Sequence, residues 1–451
     1  MNKFILATTL LIPCLATNQL SAKDLFVSTT GDNNVSYSDN SITQPWRTIA
    51  HGVYNVKAGD SLHIREGSYT PNYPMLVKSD YARKTYGGDP AEIMNAETGT
   101  ELTPVHISNY QQEEVNINLA NVSTFLQLDG KSYWNISGLN FTNVAKVFAV
   151  GTSLPSTNNS FNNMNIQMNR GGDNSAAFQL INANAEYTSI SNNTIVGPGT
   201  DDSIHLNTAG IYLKSIKNVT ILNNDISNTP IGIYYKHKTI YSDAGEVNIE
   251  IAYNHIHNTS RNSMNLNSDH AHIHNNIIGS NSAGISLNNA NGAPGGDHNK
   301  FEHNTFFGGG LSLNHNTQSG DLTPGAIGNQ MARNIFHSNP IKIHEYSDLS
   351  HNTSLDNNLY PSTTVIRSNR INYTLSSWIS HHKQDDNSHS GQAVFQGGSA
   401  PGSIAGYALS SQSPGYKAAV DGSNLGANVT MVGPLSINTP HPPSDLSIQQ
   451  Q

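Results

Sequence analysis

The chain has 451 residues, a formal net charge of −9, 12% charged residues and 36% hydrophobic ones. That length suits one elongated unit or two globular domains, and an acidic chain with few charges is a poor nucleic-acid or membrane-surface binder. Asn, Ser, Thr and Gly fill the spaces between short apolar stretches, yet the apolar residues recur regularly, which excludes a disordered chain.

Residues 1–22 read as a signal peptide, with Lys3 in the n-region and an apolar stretch over 4–15 that is too short to span a bilayer comfortably. Cleavage is expected after Ala22, with Ala16 as the fallback. Cys14, the only cysteine, lies inside that segment, so the mature chain is expected to carry no disulfide and no thiol chemistry. A secreted or periplasmic location follows. No later stretch reads as a membrane-spanning helix, so no membrane insertion is expected.

Residues 45–56 (PWRTIAHGVYNV) place Ile49, Val53 and Val56 at helical spacing and predict a short N-terminal helix. Residues 73–100 read as a surface loop. Beyond them a nine-residue pattern recurs, with apolar residues at positions four and nine and often Asn at position seven. The clearest copies are YTSISNNTI from Tyr187, NVTILNNDI from Asn218, NIEIAYNHI from Asn248 and HAHIHNNII from His270. Position seven forms a column of Asn193, Asn224, Asn254, Asn276, Asn304 and Asn334, with Asn357 as its expected last member. Stacked Asn side chains hydrogen-bond from layer to layer, so this column is scaffold.

A further strand precedes each copy, with inward pairs such as Phe178 and Leu180, Ile211 and Leu213, Ile233 and Tyr235, Met264 and Leu266, and Ile285 and Leu287. Period-two alternation with one face buried, two or three short strands per coil and loops of variable length describe an all-β, right-handed parallel β-helix with an N-terminal helical cap. It is expected over 23–360 as a monomer, followed by a C-terminal cap region over 361–437 and a disordered tail over 438–451.

The same alternation turns Tyr212 and Lys214, Tyr234 and Lys236, and Asn265 and Asn267 outward on successive coils. Adjacent coils lie about 4.8 Å apart, so Lys214 should stack on Lys236 and Tyr212 on Tyr234. Like charges at that range disfavour joint protonation, and a lysine that is partly neutral near pH 7 is a general base. One cation and one base suit β-elimination from a uronic acid, and Tyr234 or His237 could protonate the leaving oxygen. Tyr212, Lys238, Asn265, Asn267, His205 and Arg261 are expected to line the groove for an acidic polysaccharide.

The segments GIYLKS (210–215) and GIYYKHK (232–238) resemble the two active strands of the chondroitinase B and alginate lyase β-helix family, and the N-terminal region resembles its cap. The resemblance implies Lys214 as the base, Lys236 where that family has Arg, and His237 as its His. A related pattern in β-helix pectate lyases, a lone Lys base, would assign the base to Lys236. Family calcium ligands fall on Asn207 and Ala209 here, leaving Asp201 and Asp202 as candidate Ca2+ ligands. Asp201 and Asp202 also suggest a hydrolase acid and base, though no carboxylate pair lies on the outward strand. His255, His257, His272 and His274 alternate along strands, where His at i and i+2 can share a metal; surface ladders are the plainer expectation. The alternatives are a glycoside hydrolase or uronate epimerase on the same fold, or a non-catalytic glycan-binding surface protein.

Overall fold

The computed structural model describes residues 22–78, 96–201, 203–236, 248–280, 283–288, 296–314, 328–338, 341–343, 353–361, 366–368 and 371–435. The chain winds as a right-handed parallel β-helix with three strand faces per coil. The first face stacks twelve described strands, all parallel, from β1 (Asp24–Val27) and β2 (Ser61–Ile64) onward. Each nine-residue copy holds a first-face strand, a corner and a second-face strand; the strand before the copy makes the third face.

Register explains the core. Ile190, Ile221, Ile251, Ile273, Phe301, Met331 and Leu355 pair in one column and are all nearly or fully buried. Phe148 stacks on Phe178 at 5.5 Å, and Phe306 on Phe336 at 4.7 Å. Like residues thus share columns, so each coil supplies the apolar lid of the next.

The corner between the first two faces is made by a left-handed residue followed by the ladder Asn. Asn192, Asn223, Tyr253, Asn275, His303, Arg333 and Asn357 have φ between 53° and 59°, a region that Asn tolerates and most residues avoid. The ladder itself is continuous: Asn254 Nδ2 donates to Asn276 Oδ1 at 3.0 Å, and Asn224 Nδ2 to Asn254 Oδ1 at 3.0 Å. Its last rung is Asn358, which accepts from Asn334 N at 3.0 Å and from Nδ2 at 3.1 Å. Asn357 is instead the left-handed corner residue, a correction to the expected column. A second short ladder, Asn299 to Asn329, joins other corners.

Helix α1 (Ile49–Asn55) forms where the spacing predicts, capped by Thr48 Oγ1 accepting from His51 N at 3.2 Å, with Ile49, Val53 and Val56 buried. At the other end α2 (Leu375–His382) sends Trp378 fully into the core. Residues 391–435 then turn back along the outside of the solenoid. Gly426 N donates to Arg333 O, Ala427 N to Thr305 Oγ1, Asn428 N to Asn275 Oδ1, Gly433 N to Tyr253 O and Leu435 N to Asn192 Oδ1. Gly426, at φ 79°, lies so close to Ile335 that a Cβ would meet its Cδ1 at 2.5 Å. The segment buries Phe395, Leu409 and Leu425 in a second apolar cluster with Ile277, Ile335 and Leu359. No helix among the described residues is long and apolar enough to cross a membrane.

Candidate functional site

Four third-face strands build the site: β3 (Ala176–Ile181), β4 (Ala209–Lys214), β5 (Asp225–Lys236) and β6 (His255–Leu266). β5 and β6 run unbroken from the second face into the third. Gly210 and Gly232 sit where the faces meet; a Cβ on Gly210 would meet Ile226 Cγ2 at 2.6 Å. That close approach explains why GIY begins both segments.

The register pairs Tyr212 with Tyr234 and Lys214 with Lys236, as the coil alignment predicts. Ile211, Leu213, Ile233 and Tyr235 between them are buried inward, so both lysines leave the core on the same side, partly exposed. The tyrosine rings meet edge-on, 5.5 Å apart. Tyr212 is buried with Ala176, Ala209 and Ile231, with Tyr234 packed against them. Tyr212 therefore supports Tyr234 and leaves little surface for the substrate contact expected of it. Burial pushes the Tyr212 hydroxyl up, with Tyr234 and Asp173 adding to it. Burial also raises Tyr234, Arg261 partly offsets this and Asp173 adds to the rise.

A polar rim stands over the tyrosines. Asn207 Nδ2 donates to Asp173 Oδ1 at 2.8 Å, and His205 Nδ1 lies 3.9 Å from the same oxygen. Arg261 donates from one guanidinium nitrogen to Asn207 Oδ1 at 3.0 Å and to Leu206 O at 3.5 Å. An open depression of about 470 Å³ lies among residues 203–207 and Arg261. A bulge aims that arginine: Thr229 pairs with Thr259 and Ile231 with Asn262, so Ser260 and Arg261 together oppose Pro230. Pro230 has no N–H to lose at that point.

Asp173 was not evident from the sequence, because it sits in a loop with no motif around it and reaches the rim only through the fold. Asn265 pairs in register beside Tyr234, but Asn265 and Asn267 are only 5% and 3% exposed. Asn265 lies between Tyr234 and Ser286 on the neighbouring coils, and both amides leave little surface for the substrate contact expected of them. His237, Lys238 and Asp202 lie outside the described residues. Asp201 is exposed. Of the positions where the resemblance places calcium ligands, Asn207 gives its side-chain oxygen to Arg261 and Ala209 has only its backbone carbonyl to offer.

Residues 25–199 match the model of the Pel9A-like, right handed beta helix region. The match ends before Lys214, so it covers the earlier coils of the solenoid and not the lysine pair. No curated protein matches the sequence. Among solved structures the chain is similar to pectate lyase Pel9A, at 12% identity and a TM-score of 0.48, over 74% of this chain and 79% of that one. It is also similar to a mannuronic acid specific polysaccharide family 6 lyase from human gut microbiota (11%, TM-score 0.45, 78% and 77%). A third is the GH136 lacto-N-biosidase of Eubacterium ramulus (11%, TM-score 0.40, 76% and 61%).

His272 and His274, expected on the surface, instead meet carboxylates, and His274 and its partner Glu250 are buried. His272 Nε2 meets Glu302 at 3.0 Å and His274 Nε2 meets Glu250 at 3.2 Å, a crossed ladder on the first face.

Proposed function

We propose that the chain is a secreted or periplasmic polysaccharide lyase that cleaves a uronate-containing polysaccharide by β-elimination. The observation that carries this reading is the pairing of Lys214 with Lys236 beside Tyr234 on one open face. Lys236, paired in register with Lys214, offers a cation for a sugar carboxylate. Neutralising that carboxylate acidifies the C5 proton. Lys214 takes the proton on its amine; the C5–H electrons form the C4–C5 double bond, and the C4–O4 bond breaks. The departing O4 takes a proton from the Tyr234 phenol, which burial keeps protonated. Lys236 holds the carboxylate. A hydrolase would need a second carboxylate facing Asp173, and the described rim offers none.

The test incubates the full chain with alginate, pectate and chondroitin and follows absorbance of the unsaturated uronate. Lys214→Ala should lower kcat by about 10²–10⁴-fold, and Lys236→Ala should chiefly raise KM. Undiminished turnover in both variants would remove the site. New reducing ends without absorbance would mean hydrolysis instead.

A further inference from the structure

The strongest unassigned cluster lies on the second face, away from the lysine groove. Asp225 opens β5 and His255 opens β6, and the two pair in register. His257 follows two residues later on the same side. Both imidazoles turn to the one carboxylate: His255 Nδ1 lies 3.4 Å from Asp225 Oδ2, and His257 Nε2 lies 3.0 Å from Oδ1. One ligand atom from each residue falls within 4.8 Å of the other two.

We infer that Asp225, His255 and His257 bind one divalent first-row ion, with Zn2+ as the best match. Imidazole nitrogens and carboxylate oxygens hold zinc at about 2.0–2.2 Å, which sets tetrahedral ligands roughly 3.3 Å apart; the two imidazoles lie 3.4 and 3.0 Å from the two oxygens of Asp225, and a small side-chain adjustment brings the set, within 4.8 Å throughout, onto one ion. Two imidazoles and one carboxylate also favour Zn2+ over Ca2+ or Mg2+, which take oxygen ligands. The strand ladder fixes the spacing of Asp225 and His255. The edge of Tyr407, from the returning C-terminal segment, packs against the His255 ring at 6.0 Å. The His257 and Asp225 side chains are 37% and 27% exposed, so an ion can enter and keep water in its remaining positions. This site shares no residue with the proposed lyase groove and stands or falls separately.

The test uses the full chain without an affinity tag, since the sequence holds 20 histidines. Calorimetric titration with Zn2+ should show one saturable equivalent, and saturating Zn2+ should raise the unfolding midpoint by a few degrees. Co2+ in the same site should give the intense visible bands of four- or five-coordination. His257→Gln, at the most exposed ligand, should fold as the parent by circular dichroism, lose the Co2+ bands and weaken Zn2+ binding about 10-fold or more. Asp225→Asn should do the same. The absence of a one-equivalent site, or unchanged binding in both variants, overturns the inference.

Discussion

At the residue scale, Tyr234 is defined by its surroundings. Burial pushes its hydroxyl up and Asp173 pushes the same way, while Arg261 pulls back. Its ring leans on Tyr212, which is itself locked in a small apolar cluster. Tyr234→Phe keeps that packing and removes only the hydroxyl. On the proposed function, kcat should fall about 10²-fold or more, with KM and the unfolding midpoint nearly unchanged. Steady-state kinetics beside a melting curve checks this; unaltered kcat would leave the leaving-group proton to another donor. The stacked tyrosines and lysines were legible in the sequence because period-two alternation and coil alignment are both local patterns. Asp173 and the aim of Arg261 were not. The first depends on how a loop folds over the next coil, and the second on a one-residue bulge opposite Pro230 that no periodicity announces. The burial of Asn265 and Asn267 was hidden for the same reason: alternation shows which way a side chain leaves a strand, not what then covers it.

At the scale of the element, the coil corner does most of the specifying. Asn254 illustrates it. Its amide nitrogen donates to Ile221 O, Ala252 O and Asn276 Oδ1, and its oxygen accepts from Asn224 N and Nδ2, all within 2.9–3.0 Å and all buried. Each buried donor left without a partner costs about 1–3 kcal/mol. Asn254→Ala strands the Asn224 backbone N–H and should destabilise the chain by about 3 kcal/mol. Asn165, whose amide meets Asn140 Oδ1 at 2.8 Å on the exposed surface, should tolerate Ala within about 0.5 kcal/mol. Denaturant unfolding of the two variants separates the ladder from decoration; equal effects would remove the special role of the column. The nine-residue repeat made this column readable, and only its last rung was misplaced. In the copies the ladder Asn follows the buried position-four residue by three, as Asn224 follows Ile221. The same step from Leu355 reaches Asn358, and the adjacent Asn357 obscured it.

At the scale of the whole molecule, the end beyond the repeat both closes the solenoid and binds along its side. Trp378 plugs the last coil, and residues 391–435 cross back over earlier coils by backbone hydrogen bonds to unlike partners. That path leaves no periodic trace, because each contact uses a different residue type, so the sequence marked the region only as the place where the repeat stops. The turn into it holds a buried carboxyl that ties stability to pH. Burial pushes Asp385 up to about 6, against pulling by Ser388 and by the Tyr360 hydroxyl, which donates to Oδ2 at 2.7 Å. Above its unfolded value near 4 the unfolded chain has lost this proton while the folded chain still holds it. Stability from this group is therefore complete below about pH 4 and falls as pH rises through about 6, by up to about 3 kcal/mol. Glu302 acts oppositely: the His272 hydrogen bond, against burial, holds it at about 2, and its contribution is lost as pH falls from about 4.5 toward that value. Asp385→Asn keeps an oxygen for one donor and removes the titration. Melting curves across pH 4 to 7 should show the parent losing stability on the alkaline side more steeply than the variant. The slope is the readout, since the amide also gives up one hydrogen bond, and parallel slopes would mean that Asp385 is already ionised throughout that range.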